Sequence, residues 1–155
     1  MGHDSLIHDY LTGPQLVRDA VAGMTPQHLH ARPQPGKWST HEVVCHLADT
    51  EMLYADRIKR VLAENEPTLF GMDPDVHVPR LARPERVVQE ELRLIELVRA
   101  QIGHILESLS PADFERIGHH SEAGPLTLQT LLERVTNHIP HHVRFIREKR
   151  AALGD

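Results

Sequence analysis

The stretch Asn137-His-Ile-Pro-His-His-Val-Arg-Phe-Ile146 is the one around which the rest of the chain is read. His138, His141 and His142 fall within five residues of one another, and the flanking pattern is helical. On an α-helix, residues four apart stand about 40° from each other around the axis, one turn above the other. His138 and His142 can therefore reach a single metal ion from one helix. Two ligands make a weak site, so a third must come from elsewhere in the chain. The best donor is His46, within Trp38-Ser-Thr-His-Glu-Val-Val-Cys-His-Leu-Ala-Asp-Thr-Glu51.

Working outward, Thr127 is a helix cap, and the final helix is expected to run to Leu153 and end at Gly154. Arg144, Arg147, Lys149 and Arg150 fall in its later turns, where positive charge suits the helix dipole. Pro140 lies inside this helix, removes one backbone hydrogen bond, and predicts a kink beside the histidines. Ser39 and Glu42 match a capping box, so a second long helix is expected to open at Ser39 and reach about Ala63. A first helix is read over Ser5–Ala22, interrupted or restarted at Gly13-Pro14. A third is read from Pro84 to Leu109, ended by Ser110-Pro111. Residues 23–36, 64–81 and 116–125 read as connections, with a short turn at Thr25–Leu29. The 64–81 stretch is long enough to be a functional loop or lid. Strand-period alternation and internal repeats are absent. Four helices joined by long connections predict an all-α, four-helix-bundle fold in one domain spanning 1–155.

Composition narrows the function. The net charge of −5 gives no reason to expect nucleic acid or an anionic membrane as partner. The single cysteine, Cys45, excludes an internal disulfide and fits a reducing cytoplasm. No signal peptide is read at the N-terminus, and no stretch is apolar enough to span a bilayer. Thirteen histidines are the anomaly; about ten of them read as ordinary polar or half-buried residues.

Not every histidine pair qualifies. His41-Glu-Val-Val-Cys-His46 resembles the zinc-protease signature but is one residue too long. Five residues give about 140° of rotation, so His41 and His46 cannot share a metal from one helix face. No Glu-x-x-His pair occurs in the second or fourth helix, which argues against a di-iron carboxylate bundle. Three imidazoles with open positions form the pattern of a catalytic metal rather than a structural one. Asp49, three residues after His46, could orient a ligand or act as a general base, whereas Glu42 reads as a cap. His141 points about 100° away from His142 and reads as exposed or interfacial. Trp38 reads as a staple for the start of its helix rather than a substrate-stacking ring, and Cys45 as a buried apolar residue.

Lys37-Trp-Ser-x-x-Glu-x-x-x-His46-Leu-x-Asp-x-Glu51, with His138-x-x-x-His142 and Ile146 near the chain end, resembles the DinB superfamily. More narrowly it is similar to the branch that includes bacillithiol-transferase-type, YfiT-like proteins. The resemblance runs from about Tyr10 to Arg150, and Arg57–Leu69 also looks like that branch. It implies a four-helix bundle, often a homodimer, holding a divalent metal through three histidines, which by position are His46, His138 and His142. Zinc and nickel are the metals most associated with it, with iron or manganese in some members. It further implies a small-molecule substrate and, in characterised relatives, a low-molecular-weight thiol. The expected function is therefore a metal-dependent enzyme, either a thiol S-transferase or a hydrolase, with Asp49 as the catalytic group. The competing reading is a non-catalytic, metal-stabilised helical bundle that serves as an interaction protein.

Overall fold

A computed structural model of the chain describes residues 2–155. Four long helices dominate it: α1 (Gly2–Val21), α3 (Thr40–Ala63), α5 (Val88–Leu106) and α6 (Leu128–Leu153). Two short helices lie between them, α2 (Pro26–His30) and α4 (Pro74–Leu81), and a 3₁₀ turn spans Pro111–Glu115. The expected four-helix bundle is present. α1 packs on α5 and α6, and α3 packs on the same two helices. The diagonals are therefore α1 with α3 and α5 with α6, each a pair of successive long helices. Short loops would place successive helices side by side. Crossing a diagonal takes the long connections that the sequence displays.

Local signals fix the helix ends. The Glu42 N–H donates to Ser39 Oγ at 3.2 Å, and the Ser39 N–H donates to Glu42 Oε2 at 2.7 Å, completing the capping box of α3. Thr127 Oγ1 accepts from the Thr130 N–H at 3.1 Å, and Gly154 closes α6 with a left-handed φ of 73°. α6 is continuous from Leu128 to Leu153 with Pro140 inside it. Pro140 still leaves the Thr136 carbonyl without its usual helical donor.

Several expectations need correction. α1 passes through Pro14 unbroken and ends at Val21. The third long helix begins at Val88 rather than Pro84 and ends at Leu106. The expected 64–81 loop contains α4, capped by the Asp73 side chain, with Pro74 in the first turn. A three-stranded sheet is also present: β1 (Thr68–Leu69), β2 (Ile117–His120) and β3 (Gly124–Thr127). β1 pairs parallel with β2, aligning Leu69 with His120, and β2 pairs antiparallel with β3. Strands this short carry no readable alternation, and their pairing comes from the bundle bringing distant loops together.

The core is two apolar clusters separated by a polar layer. One gathers Tyr10, Ile58, Ile102, Phe114 and Leu131; the other gathers Val17, Val43, Leu47, Ile95, Ile139 and Val143. Between them Arg99 and Glu51 form an ion pair at 2.6 Å, with side chains only 1% and 0% exposed. No helix among the described residues is long and apolar enough to cross a membrane.

Candidate metal centre

His46 comes from α3, and His138 and His142 from adjacent turns of α6, the helix packed against it. Each offers one ring nitrogen, and the three nitrogens lie within 4.8 Å of one another. The ring centroids are 4.6–4.9 Å apart, and the planes are inclined at 66–76°. Pro140 does not pull the α6 pair apart. His46 Nε2 and His138 Nε2 are 3.1 Å apart. Two imidazole nitrogens bound to one ion at ~2.0–2.1 Å, with angles near 90–110°, would stand roughly 2.9–3.4 Å apart.

The electrostatics suit a cation. Burial lowers the pKa of His46 to about 4, with Asp49 pulling the other way. Burial, together with the neighbouring histidines, lowers His138 and His142 to about 3. All three rings are therefore neutral at physiological pH, with lone pairs available. Their one hydrogen bond is internal to the trio, and the Nδ1 atoms of His138 and His142 are buried without partners. Three neutral nitrogen donors facing one point, with no competing partner, could bind a metal ion.

The trio opens on a cavity of about 390 Å³ whose wall includes Trp38, Thr50, Tyr54, Arg57, His120 and His141. A second cavity, of about 470 Å³, lies on the other side of Trp38 and His142. The Trp38 ring lies 6.2 Å from that of His142, nearly parallel at 11°, and 5.1 Å from that of His46. Trp38 thus forms part of the site as well as standing before α3. His141 is exposed, as expected, yet it lies on the cavity wall with its ring 5.1 Å from His142.

The remaining singled-out residues fall outside the trio. His41 is buried and donates through Nε2 to the Arg86 carbonyl at 2.8 Å. Cys45 is buried, and burial pushes its thiol up to about 12. Asp49 accepts from Arg86 with both oxygens, at 2.9 and 3.0 Å, and Arg86 also holds Glu91. Asp49 does not line the cavity. Thr50, Tyr54, Arg57 and His120 join the site although none is a candidate from the sequence. The first three had a usable signal, since they follow His46 by four, eight and eleven residues and so share its face of α3. His120 had none, because the β1–β2 pairing places it.

A sequence model of the DinB superfamily matches residues 10–146, and the chain belongs to that superfamily. It is 30% identical over 144 residues to a protein of Geobacillus thermodenitrificans, covering 91% of this chain and 80% of that one. It is 27% identical over 133 residues to a protein of Oceanobacillus iheyensis, covering 86% and 77%. Both relatives are named provisionally as metal-dependent hydrolases. The solved structure of YfiT from Bacillus subtilis superposes with a TM-score of 0.90 at 26% identity, covering 97% of this chain and 87% of that one. YfiT is described as a probable metal-dependent hydrolase with an unusual four-helix bundle topology.

Proposed function

We propose that the chain is a metal-dependent hydrolase whose divalent ion is held by His46, His138 and His142. The convergence of three neutral ring nitrogens at the wall of an open cavity carries this reading. An all-imidazole donor set suits zinc or nickel better than magnesium or calcium, which favour oxygen. An ion there would act as a Lewis acid and would acidify a water molecule in one of its remaining positions. The chain's own residues do the rest. Trp38 walls one side of the trio, and Thr50 and Tyr54 shape the floor where a substrate would lie. Both oxygens of Asp49 are taken by Arg86, which supports a positioning role: its charge stabilises positive charge at His46 without touching the reacting atoms. Proton transfer then falls to the cavity wall, where His141 adjoins His142. A position open to water is equally open to a thiolate, so a low-molecular-weight thiol remains the proposed cosubstrate if the reaction is transfer rather than hydrolysis.

The test is reconstitution of metal-depleted protein with zinc, nickel or manganese, followed by a panel of activated esters and amides. Hydrolysis should appear with metal, vanish with chelator, and be absent in His138→Ala. Equal rates in His138→Ala and wild type would refute the assignment.

A further inference from the structure

Arg57 is an unusual cation to find in a cavity wall. It is 5% exposed, and its Nε has no hydrogen-bond partner. Its Nη2 donates to the Phe70 carbonyl and lies 3.2 Å from His120 Nε2. Neither partner is a carboxylate. The guanidinium also lies over the Tyr54 ring, 4.9 Å from its centroid. Glu122 shares the cavity wall but is exposed, and its carboxylate reaches over Gly71.

The hydrogen bonding of His120 sharpens the point. Its Nδ1 accepts from the backbone N–H groups of Glu122 and Ala123, both at 3.2 Å. A neutral imidazole has one acceptor nitrogen and one N–H. Acceptance at Nδ1 puts the hydrogen on Nε2, which then faces the Nη2 donor of Arg57. Two donors thus stand 3.2 Å apart on the cavity wall, one on buried Arg57 and one on half-buried His120, with no acceptor between them. The Thr50 hydroxyl, on the same wall, is also buried without a partner. An oxyanion would accept from both donors and neutralise the guanidinium, and Arg forks suit carboxylate and phosphate geometry.

We propose that Arg57 and His120 form an anion subsite at the end of the cavity away from the histidine trio, so that the substrate carries a terminal carboxylate or phosphate. Eleven residues separate His46 from Arg57, close to three full turns and roughly 16 Å along the helix axis. The substrate therefore carries its anionic group several bonds away from the bond presented to the centre. This inference rests on the metal-centre reading for what happens at the cavity's other end.

The test uses cobalt-substituted protein and a series of ω-carboxy hydroxamates, from succinic to suberic, each beside its methyl ester. The hydroxamate engages the metal and is read in the cobalt spectrum; the tail probes Arg57. At one chain length the acid should bind at least tenfold tighter than its ester. Arg57→Gln should bring that ratio to about one while leaving metal content and ester affinity unchanged. Arg57→Lys, which keeps charge but loses the fork, should retain part of it. His120→Phe should lower the ratio with Arg57 intact, which covers the case in which Arg57→Gln fails to fold. A ratio near one at every length in the wild type, or one that survives in Arg57→Gln, overturns the subsite. If instead the esters leave the cobalt spectrum unchanged, the metal reading has failed. Calorimetric titration with inorganic phosphate then decides the subsite alone: Arg57-dependent binding upholds it, and no binding overturns it.

Discussion

Arg99 Nη1 donates to the Tyr10 carbonyl at 2.6 Å, and that carbonyl is the one Pro14 leaves without a helical donor. A proline that would ordinarily break α1 is accommodated because a buried guanidinium replaces the missing N–H. The same guanidinium binds Glu51 and the Val135 carbonyl, so one side chain joins α5 to the other three long helices. Gly13 is part of the arrangement, since a Cβ there would run into the Arg99 guanidinium.

Removing one partner from this layer should be costly. Arg99→Met leaves Glu51 buried and unpaired, and breaking such a pair costs about 3–5 kcal/mol. The urea midpoint should fall accordingly, and Gly13→Ala should also lower it. Adding Glu51→Leu to Arg99→Met should recover most of the loss. A single variant as stable as wild type would show that the layer contributes nothing.

Loss of any one imidazole of the trio should lower metal content. His46→Ala, His138→Ala and His142→Ala should each retain a small fraction of wild-type metal after dialysis, measured by elemental analysis of untagged protein. His41→Ala should retain it all, because His41 is bonded to Arg86 elsewhere. Wild-type metal content in His138→Ala would rule out the ligand set.

The trio also sets a pH dependence. Its folded pKa values, about 4 and about 3, lie below the ~6.5 of an unfolded histidine. Between these values the unfolded chain binds more protons, so stability is fully present above about pH 6.5 and falls as pH drops toward 4. Denaturant midpoints of metal-free protein should decline between pH 6.5 and 5, and His138→Ala should flatten the decline. Ordinary histidines would release metal below about pH 6, whereas buried ones should hold it to lower pH. Release already complete at pH 6 would contradict the lowered values.

Three protein ligands leave coordination positions for solvent. Cobalt-substituted protein should therefore develop a sulfur-to-metal charge-transfer band when a small thiol is added. Asp49→Asn should leave metal content intact and lower turnover if, as proposed, Asp49 acts through its field rather than as a ligand. A cobalt spectrum indifferent to thiol would point to a closed, structural shell.

The sequence made some of this legible for local reasons. Ser39, Glu42, Thr127 and Gly154 act on their own helix ends, so the bounds of α3 and α6 follow from short-range chemistry. His46, His138 and His142 were readable because helical spacing shows which side chains can share a face. Pro14 misled, because nothing near it in sequence announces that Arg99 will complete the helix. Asp73-Pro74 did carry the start signal of α4 but was absorbed into a proline-rich stretch. The sheet and the Arg57–His120 pair depend on Leu69 meeting His120 across a third of the chain, and no window of sequence contains that meeting.

Trp38 is the chain's one tryptophan, and it sits against two members of the trio. All indole light from this molecule therefore originates beside the histidine trio. A quenching ion, a protonated imidazole or a ligand in either flanking cavity acts on the same chromophore, and no second indole dilutes the signal. Fluorescence, ordinarily an average over a protein, is here a report from a single address. Loosening of this end of the bundle would register in it before the far apolar cluster had moved.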